Sequence, residues 1–382
     1  MIALSLFLAA VACDPSPSLV RHCPGETFHI LQIGDSHTAG DTITQPLRRL
    51  LQLRFGAGGR GVLAPGRPYP GYLTYGVTAT QSGAWTVSAS FGPAFPGSRP
   101  VGLSGYTLTS AAAGASVGVT SDDEANRFDR MMVCALREPG AGTLRLRLGD
   151  REEEWPLASP RREAACRTLD SDNLEQAAAA VVRDDRPASI TSFATFRRTG
   201  GVVVSNLGVS GSQLAHLSRA HGTVVRAELD AYRPDLLVLA FGTNEAFAPR
   251  FDADAYEQAL RRGIARLRRL AGPELPVLLV SPPDAGTRDV SLAANGGLPV
   301  RACGAGLYAP TALDRVRERQ RLVADDLGLG FLDSRPAMGG PCAAPAWAAR
   351  GWMRPDLVHF TRAGGEQMGW IYAAALLDGR AR

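Results

Sequence analysis

The chain has 382 residues, 45% of them apolar and 20% charged, which describes a folded globular protein large enough for one large or two ordinary domains. The net charge is +4 with both signs interspersed, and no arginine cluster carries interleaved aromatics, so nucleic acid is not an expected partner. Every basic side chain is arginine; the absence of lysine excludes a Walker A site, a Schiff-base lysine and a Ser-Lys dyad together.

Residues 1–12 form an apolar run ending at Cys13, too short to span a bilayer and of the length of a signal-peptide core. Ala10-Val11-Ala12 fits a small-residue cleavage site and, before Cys13, a weak lipobox; "DPSPS" then reads as a tether. Residues 1–25 are therefore expected to be a leader and linker. The expected location is exported, periplasmic or membrane-anchored through a lipidated Cys13. Six cysteines stand at 13, 23, 134, 166, 303 and 342, without a CxxC or zinc-spaced histidine, so no metal site is expected. In an exported protein they pair, Cys134 with Cys166 and Cys303 with Cys342, leaving Cys23 for Cys13 or unpaired if Cys13 carries lipid. A cytosolic location would instead leave six reduced thiols.

Residues 28–33 read as a buried parallel strand and 45–54 as an amphipathic helix. From 61 to 199 the texture changes to Gly, Pro, Ser and Thr with short alternating runs such as "WTVSASF" and "TLRLRLG", the pattern of an all-β sandwich. "NLEQAAAAVV" (173–182) reads as a short helix within it. From 200, strands and helices alternate again: "VVVSNLG", a helix over "TVVRAELDAY", "DLLVLAFG", a long helix over "ADAYEQALRRGIARLRRLA", "PVLLVSPP", a helix over "ALDRVRERQRLVADDLG", "GFLD" and a closing helix. This alternation predicts a parallel sheet covered on both faces. The expected organisation is one α/β domain from residues 26–60 and 200–382, with a β module of 61–199 inserted.

Open parallel sheets bind ligands beyond the carboxyl ends of their strands. Those ends carry Asp35 and Ser36, then Asn206, Gly208 and Gly211, then Thr243, Asn244 and Glu245; Asp356 and His359 precede the last helix. A serine hydroxyl needs a base within hydrogen-bond reach, which His359 supplies, and Asp356 three residues earlier can fix its tautomer. The Ser36 and Gly211 N–H groups and the Asn244 amide are candidate oxyanion donors. Asp35 reads as a turn-builder, His37 as a loop or rim residue, Glu245 as structural, His216 and His221 as surface or packing residues, and the arginine face of 261–269 as solvated.

"GDSHTAGD", "SNLGVSGSQ", "FGTNEA" and "DLVHF" resemble, in order, the four blocks of the SGNH, or GDSL-type, hydrolases, with Ser36, Gly211, Asn244 and His359 as the naming residues. The family spacing selects Gly211 over Gly208. The resemblance implies a flavodoxin-like three-layer α/β/α sandwich and esterase chemistry without metal or cofactor. With "FGAGGRGVLAPGRP" and the β insert, the chain is similar to bacterial peptidoglycan O-acetylesterases, whose insert is a carbohydrate-binding-like jelly roll. That implies an O-acetylated glycan as partner, peptidoglycan muramic acid above others; no protein partner is inferred. A broader esterase or lipase, an acyltransferase, and a non-catalytic wall-binding protein stay open as alternatives.

Overall fold

The computed structural model describes residues 19–20, 22–294 and 297–379. The leader, with Cys13 and the cleavage motif, lies outside them.

Five parallel strands form the central sheet. They are Thr27–Gly34, Gly201–Gly208, Leu236–Ala240, Val277–Val280 and Gly330–Leu332, and the second lies outside the first, giving the spatial order 2-1-3-4-5. This is the flavodoxin-like order expected, and its direction reverses between the first and third strands. The helices Gly222–Tyr232, Ala253–Ala271 and Ala312–Leu327 bury Val225, Leu260 and Val316 against one face. The helices Thr44–Phe55 and Arg362–Leu377 bury Leu47, Leu51 and Met368 against the other. Both sheet faces are covered, which is why the strands are mostly apolar and do not alternate.

A polar residue of the first strand, His29, is accommodated by pairing with Ser205 of the second. The His29 ring is buried; its Nδ1–H donates to the Tyr232 carbonyl at 2.9 Å and its Nε2 accepts from Ser205 Oγ at 2.6 Å. Burial lowers its pKa to about 4, so it is neutral. Ser205 Oγ also accepts the Val62 N–H at 2.7 Å, which joins the outgoing chain of the insert to the central sheet.

Residues 61–196 supply two antiparallel sheets. One runs Glu163–Glu175, Phe128–Arg137, Ala188–Phe196, Tyr106–Ser110, Thr86–Ala89, with Gly61–Leu63 also paired to Ala188–Phe196; the other runs Val77–Ser82, Ser116–Ser121, Ala177–Val182, Thr143–Leu148, Arg151–Pro156. Their inner faces share a core including Leu108, Phe128, Leu146 and Phe193. The expected helix over 173–182 is instead strand. Ala177–Val182 pairs with a neighbour on each side and alternates in burial, so tertiary pairing overrides the helix preference of alanine. Cys134 and Cys166 are directly opposite across paired strands and are bridged; Cys303 and Cys342 are bridged as well. Closing loops of 32 and 39 residues disfavours the unfolded chain by roughly 4 kcal/mol each in the loop-entropy account. The loop carrying Cys303 belongs to a hairpin, Val300–Ala302 with Tyr308–Pro310, that the sequence reading did not anticipate.

The insert is packed into the α/β unit. Val62, Leu103, Cys134 and Phe196 share one apolar cluster with Leu229 and Tyr232. At the same junction Glu228 is buried and accepts from Leu103 N–H (2.6 Å), Ser192 Oγ (2.7 Å) and Thr191 Oγ1 (2.8 Å), all from the insert.

Candidate active site

The first strand ends at Gly34 because no other residue fits: a Cβ there would lie 2.2 Å from Thr38 Oγ1 and 2.5 Å from the Ala240 carbonyl. Asp35 then caps the short helix Ser36–Ala39, its Oδ1 accepting the His37 N–H at 2.9 Å. Ser36 is thereby presented at the carboxyl edge, at the point where strand order reverses.

Ser36 Oγ lies 3.0 Å from His359 Nε2, and His359 Nδ1 lies 2.9 Å from Asp356 Oδ2. With Nδ1–H donating to the carboxylate, Nε2 is left to accept the serine proton, the tautomer a general base requires. The other Asp356 oxygen accepts the Val358 and His359 N–H groups at 2.9 Å each, so one carboxylate both shapes the turn and orients the ring. Partial burial pushes the Asp356 pKa up, but these N–H donors and the imidazole outweigh it and hold the carboxyl below its ordinary value.

Gly211 and Asn244 line the same cleft as Ser36 and His359. Gly211 has φ +76°, a conformation glycine adopts without strain, and neither its N–H nor that of Ser36 has a hydrogen-bond partner among the described residues. The Asn244 side chain donates one N–H to the Ser212 carbonyl at 2.9 Å and keeps a second. Gly208 is held by packing instead: a Cβ there would lie 2.0 Å from the Ala39 nitrogen. Glu245 Oε1 accepts the Leu214 N–H at 2.7 Å, anchoring the chain that follows Gly211; burial raises its pKa to about 7. Ser36, Gly211, Asn244 and His359 therefore meet in one cleft of about 550 Å³. A larger groove of about 1160 Å³, lined by Phe28, Asp235 and Pro276, contains none of them.

His37 is more than a rim residue. Its side chain is 8% exposed, its Nε2–H donates to the Val358 carbonyl at 2.9 Å, and its Nδ1 lies 3.3 Å from Asp35 Oδ1. Both ring nitrogens thus face an acceptor, which favours the doubly protonated ring. Burial lowers its pKa, but the Asp35 carboxylate and the carbonyl outweigh it and the net shift is upward. His37 also stacks on His359 at 5.6 Å, tying the nucleophile turn to the base turn. His216 is a packing residue, stacked on Phe91 at 4.4 Å, with its pKa lowered to about 4 by burial and by Arg219. His221 is exposed. The arginine face of 261–269 is only partly solvated, since Arg266 donates to the Leu217 and Ala220 carbonyls.

Sequence reasoning missed what stands behind and above the serine. Asp41, buried, pairs with Arg48 at 2.9 Å and Arg60 at 3.1 Å. Burial pushes the Asp41 pKa up, but both guanidinium groups outweigh it and keep the carboxyl ionised. Asn206 donates to the Thr38 carbonyl, Thr44 Oγ1 and Asp41 Oδ1, fixing the Ser36–Ala39 turn from below. Asp41 also accepts the Tyr75 N–H at 2.9 Å and Arg60 donates to the Tyr75 carbonyl at 3.0 Å. That cluster holds the insert's first loop over the cleft, where Tyr69, Leu73 and Tyr75 form one wall.

Residues 180–367 match the GDSL-like lipase/acylhydrolase family, a stretch that includes Gly211, Asn244, Asp356 and His359 and begins within the last strands of the insert, beyond Ser36. A solved structure titled "Peptidoglycan O-acetylesterase in action" is 26% identical, with a TM-score of 0.74 over 94% of this chain and 93% of that one. A family two carbohydrate esterase from Clostridium thermocellum, in complex with cellohexaose, is 14% identical, with a TM-score of 0.32 over 70% of this chain and 93% of that one. No curated protein sequence matches. Residues 180–367 thus carry a GDSL-type (SGNH) hydrolase domain, and the chain is a carboxylic ester hydrolase similar to the peptidoglycan O-acetylesterases.

Proposed function

We propose that the protein is an exported serine esterase that removes O-acetyl groups from peptidoglycan, at the muramic acid 6-hydroxyl. The observation that carries this reading is the extent of the structural likeness: it runs through 94% of the chain and so takes in the β insert as well as the hydrolase core. Two disulfides and the leader pattern support an oxidising compartment, with Cys13 as a candidate lipid attachment.

In this mechanism Ser36 Oγ attacks the acetyl carbon while His359 Nε2 takes its proton. The negative charge on the former carbonyl oxygen is met by the Ser36 and Gly211 N–H groups and the Asn244 amide, each contributing about 3 kcal/mol in comparable sites. His359 returns the proton to the departing sugar hydroxyl, leaving acetyl on Ser36. Water, deprotonated by the same imidazole, then releases acetate. Asp356 stays ionised and orients the ring.

The test is acetate release from O-acetylated peptidoglycan compared with hydrolysis of long-chain aryl esters, by wild type and Ser36→Ala. The expected result is release from peptidoglycan, poor long-chain turnover, and a loss of roughly 10⁴ or more in the variant. Near-normal hydrolysis by folded Ser36→Ala would remove the serine mechanism; preference for long-chain esters would remove the glycan assignment.

A further inference from the structure

The cleft beside Ser36 contains two arginines, Arg354 and Arg362, and no aspartate or glutamate lines it. The buried arginines of the described residues are paired with carboxylates, Arg48 and Arg60 with Asp41 and Arg317 with Asp333. Among the described residues neither Arg354 nor Arg362 makes an ion pair.

Their placement puts two cations without a carboxylate partner beside the nucleophile. Arg362 is the first residue of the helix Arg362–Leu377, whose first turn holds no acidic side chain. A cation at a helix N-terminus opposes the helix dipole, so Arg362 gains nothing from its own helix while it adds positive charge to the cleft it lines. The Arg362 guanidinium lies over the Tyr75 ring at 5.2 Å, and the Tyr75 backbone is fixed on both sides by Asp41 and Arg60. Arg354 donates its backbone N–H to the His359 carbonyl at 2.8 Å, so its position is coupled to the turn that carries the base. One arginine is thus held by the insert loop and one by the base turn, on the cleft that holds the nucleophile.

We propose that Arg354 and Arg362 form a subsite for a carboxylate on the substrate, adjacent to the acetyl ester. A guanidinium presents a planar fork that binds carboxylate through two parallel hydrogen bonds, and its charge persists at any working pH. The identity of that carboxylate rests on the glycan reading above: in an acetylated muramic acid strand it is the free lactyl carboxylate or a carboxylate of the stem peptide. The subsite itself does not depend on that reading, because it predicts selectivity for any acetyl ester carrying an acid at similar distance.

The experiment measures a selectivity ratio, kcat/KM for an acid over kcat/KM for its methyl ester. Two pairs are used: 6-O-acetyl-N-acetylmuramic acid, and 4-acetoxybenzoate with rates normalised to alkaline hydrolysis. Wild type should prefer the acid roughly tenfold, and the preference should shrink as salt is raised. The double variant Arg354→Gln/Arg362→Gln should bring the ratio near one, and Arg354→Lys/Arg362→Lys should restore part of it. Both side chains are exposed, so the substitutions leave the core intact. A wild-type ratio near one in both pairs, or a Gln double variant that keeps the preference, overturns the subsite. Sugar hydrolysis without preference would sink the subsite and keep the glycan reading; preference in the aryl pair with no sugar turnover would do the reverse. O-acetylated strands with stem peptides intact or removed by amidase separate the two sources: a larger loss in the variant on stripped strands assigns the lactyl carboxylate, a larger loss on intact strands the stem peptide.

Discussion

The two halves of this acyl site are held by opposite means. The base half is local and exposed: Asp356 and His359 are three residues apart, their side chains 47% and 38% exposed, and the turn is closed by hydrogen bonds within residues 354–359. The oxyanion half is half-buried and non-local. Gly211 packs against Phe91 of the insert, Val209 clusters with Ala64, Ala89 and Tyr106, Arg219 donates to the Ser90 carbonyl at 2.9 Å, and Glu245 reaches across to Leu214. A spacing in sequence can therefore specify the base, while the oxyanion donors depend on a domain inserted between the first and second motifs.

The largest effect expected on the base half comes from Asp356→Asn. An amide cannot hold the Nδ1–H tautomer, and it loses the acceptor charge for two backbone N–H groups. Turnover of an aryl acetate should fall by about 10³–10⁴. A fall below tenfold would mean that solvent exposure lets water take over the role of the carboxylate. On the oxyanion half, Asn244→Ala should lower kcat by about 10²–10³ with KM little changed, because its amide meets charge that exists only in the transition state. A rise in KM alone would assign Asn244 to ground-state binding.

The same contrast governs what could be read from the chain. The third and fourth core strands are continuous apolar runs, and Ser36, Asp356 and His359 stand at fixed offsets from strand or helix ends, so local pattern places them at one rim. Ala177–Val182 was misread because its strand identity comes from two neighbouring strands distant in sequence. His37 and Asp41 look like ordinary rim polar residues until Val358 and Arg60, far along the chain, supply their partners. Arg354 and Arg362 carry no motif at all; their interest lies in facing a cleft without carboxylates.

Phe91 tests the comparison directly, since it belongs to the insert and touches the oxyanion loop. A Cβ on Gly211 would lie 2.9 Å from its ring, and the ring stacks on His216. Phe91→Ala leaves every catalytic group present but removes the surface against which the Gly211 turn rests. We expect kcat on an aryl acetate to drop roughly three- to tenfold with KM nearly constant, from looser donor placement. An unchanged kcat would show that the oxyanion loop is rigid without the insert, and the two halves would then differ less than the contacts indicate.

The smallest effect on activity and the most informative on architecture is expected from Glu228→Gln. Burial raises the Glu228 pKa from 4.5 to about 7, against the Leu103, Ser192 and Thr191 donors that lower it. The folded state therefore holds this proton more tightly than the unfolded chain. The associated stability is fully present below pH 4.5 and is lost as pH rises through about 7. Glu245 shifts the same way, whereas His29 and His216, lowered to about 4, make stability rise between pH 4 and 6.5. A glutamine can accept from Leu103 N–H and donate to the two hydroxyls, which have Cys134 O and Tyr232 Oη as alternative partners. It removes one falling contribution and leaves the rising ones. Urea unfolding of wild type and variant at pH 5 and pH 8 should show the variant gaining on the order of 2–3 kcal/mol at pH 8 relative to pH 5. An identical pH difference in both proteins would mean that Glu228 is already ionised at pH 5, satisfied by its three donors, and that the junction between insert and core is insensitive to pH.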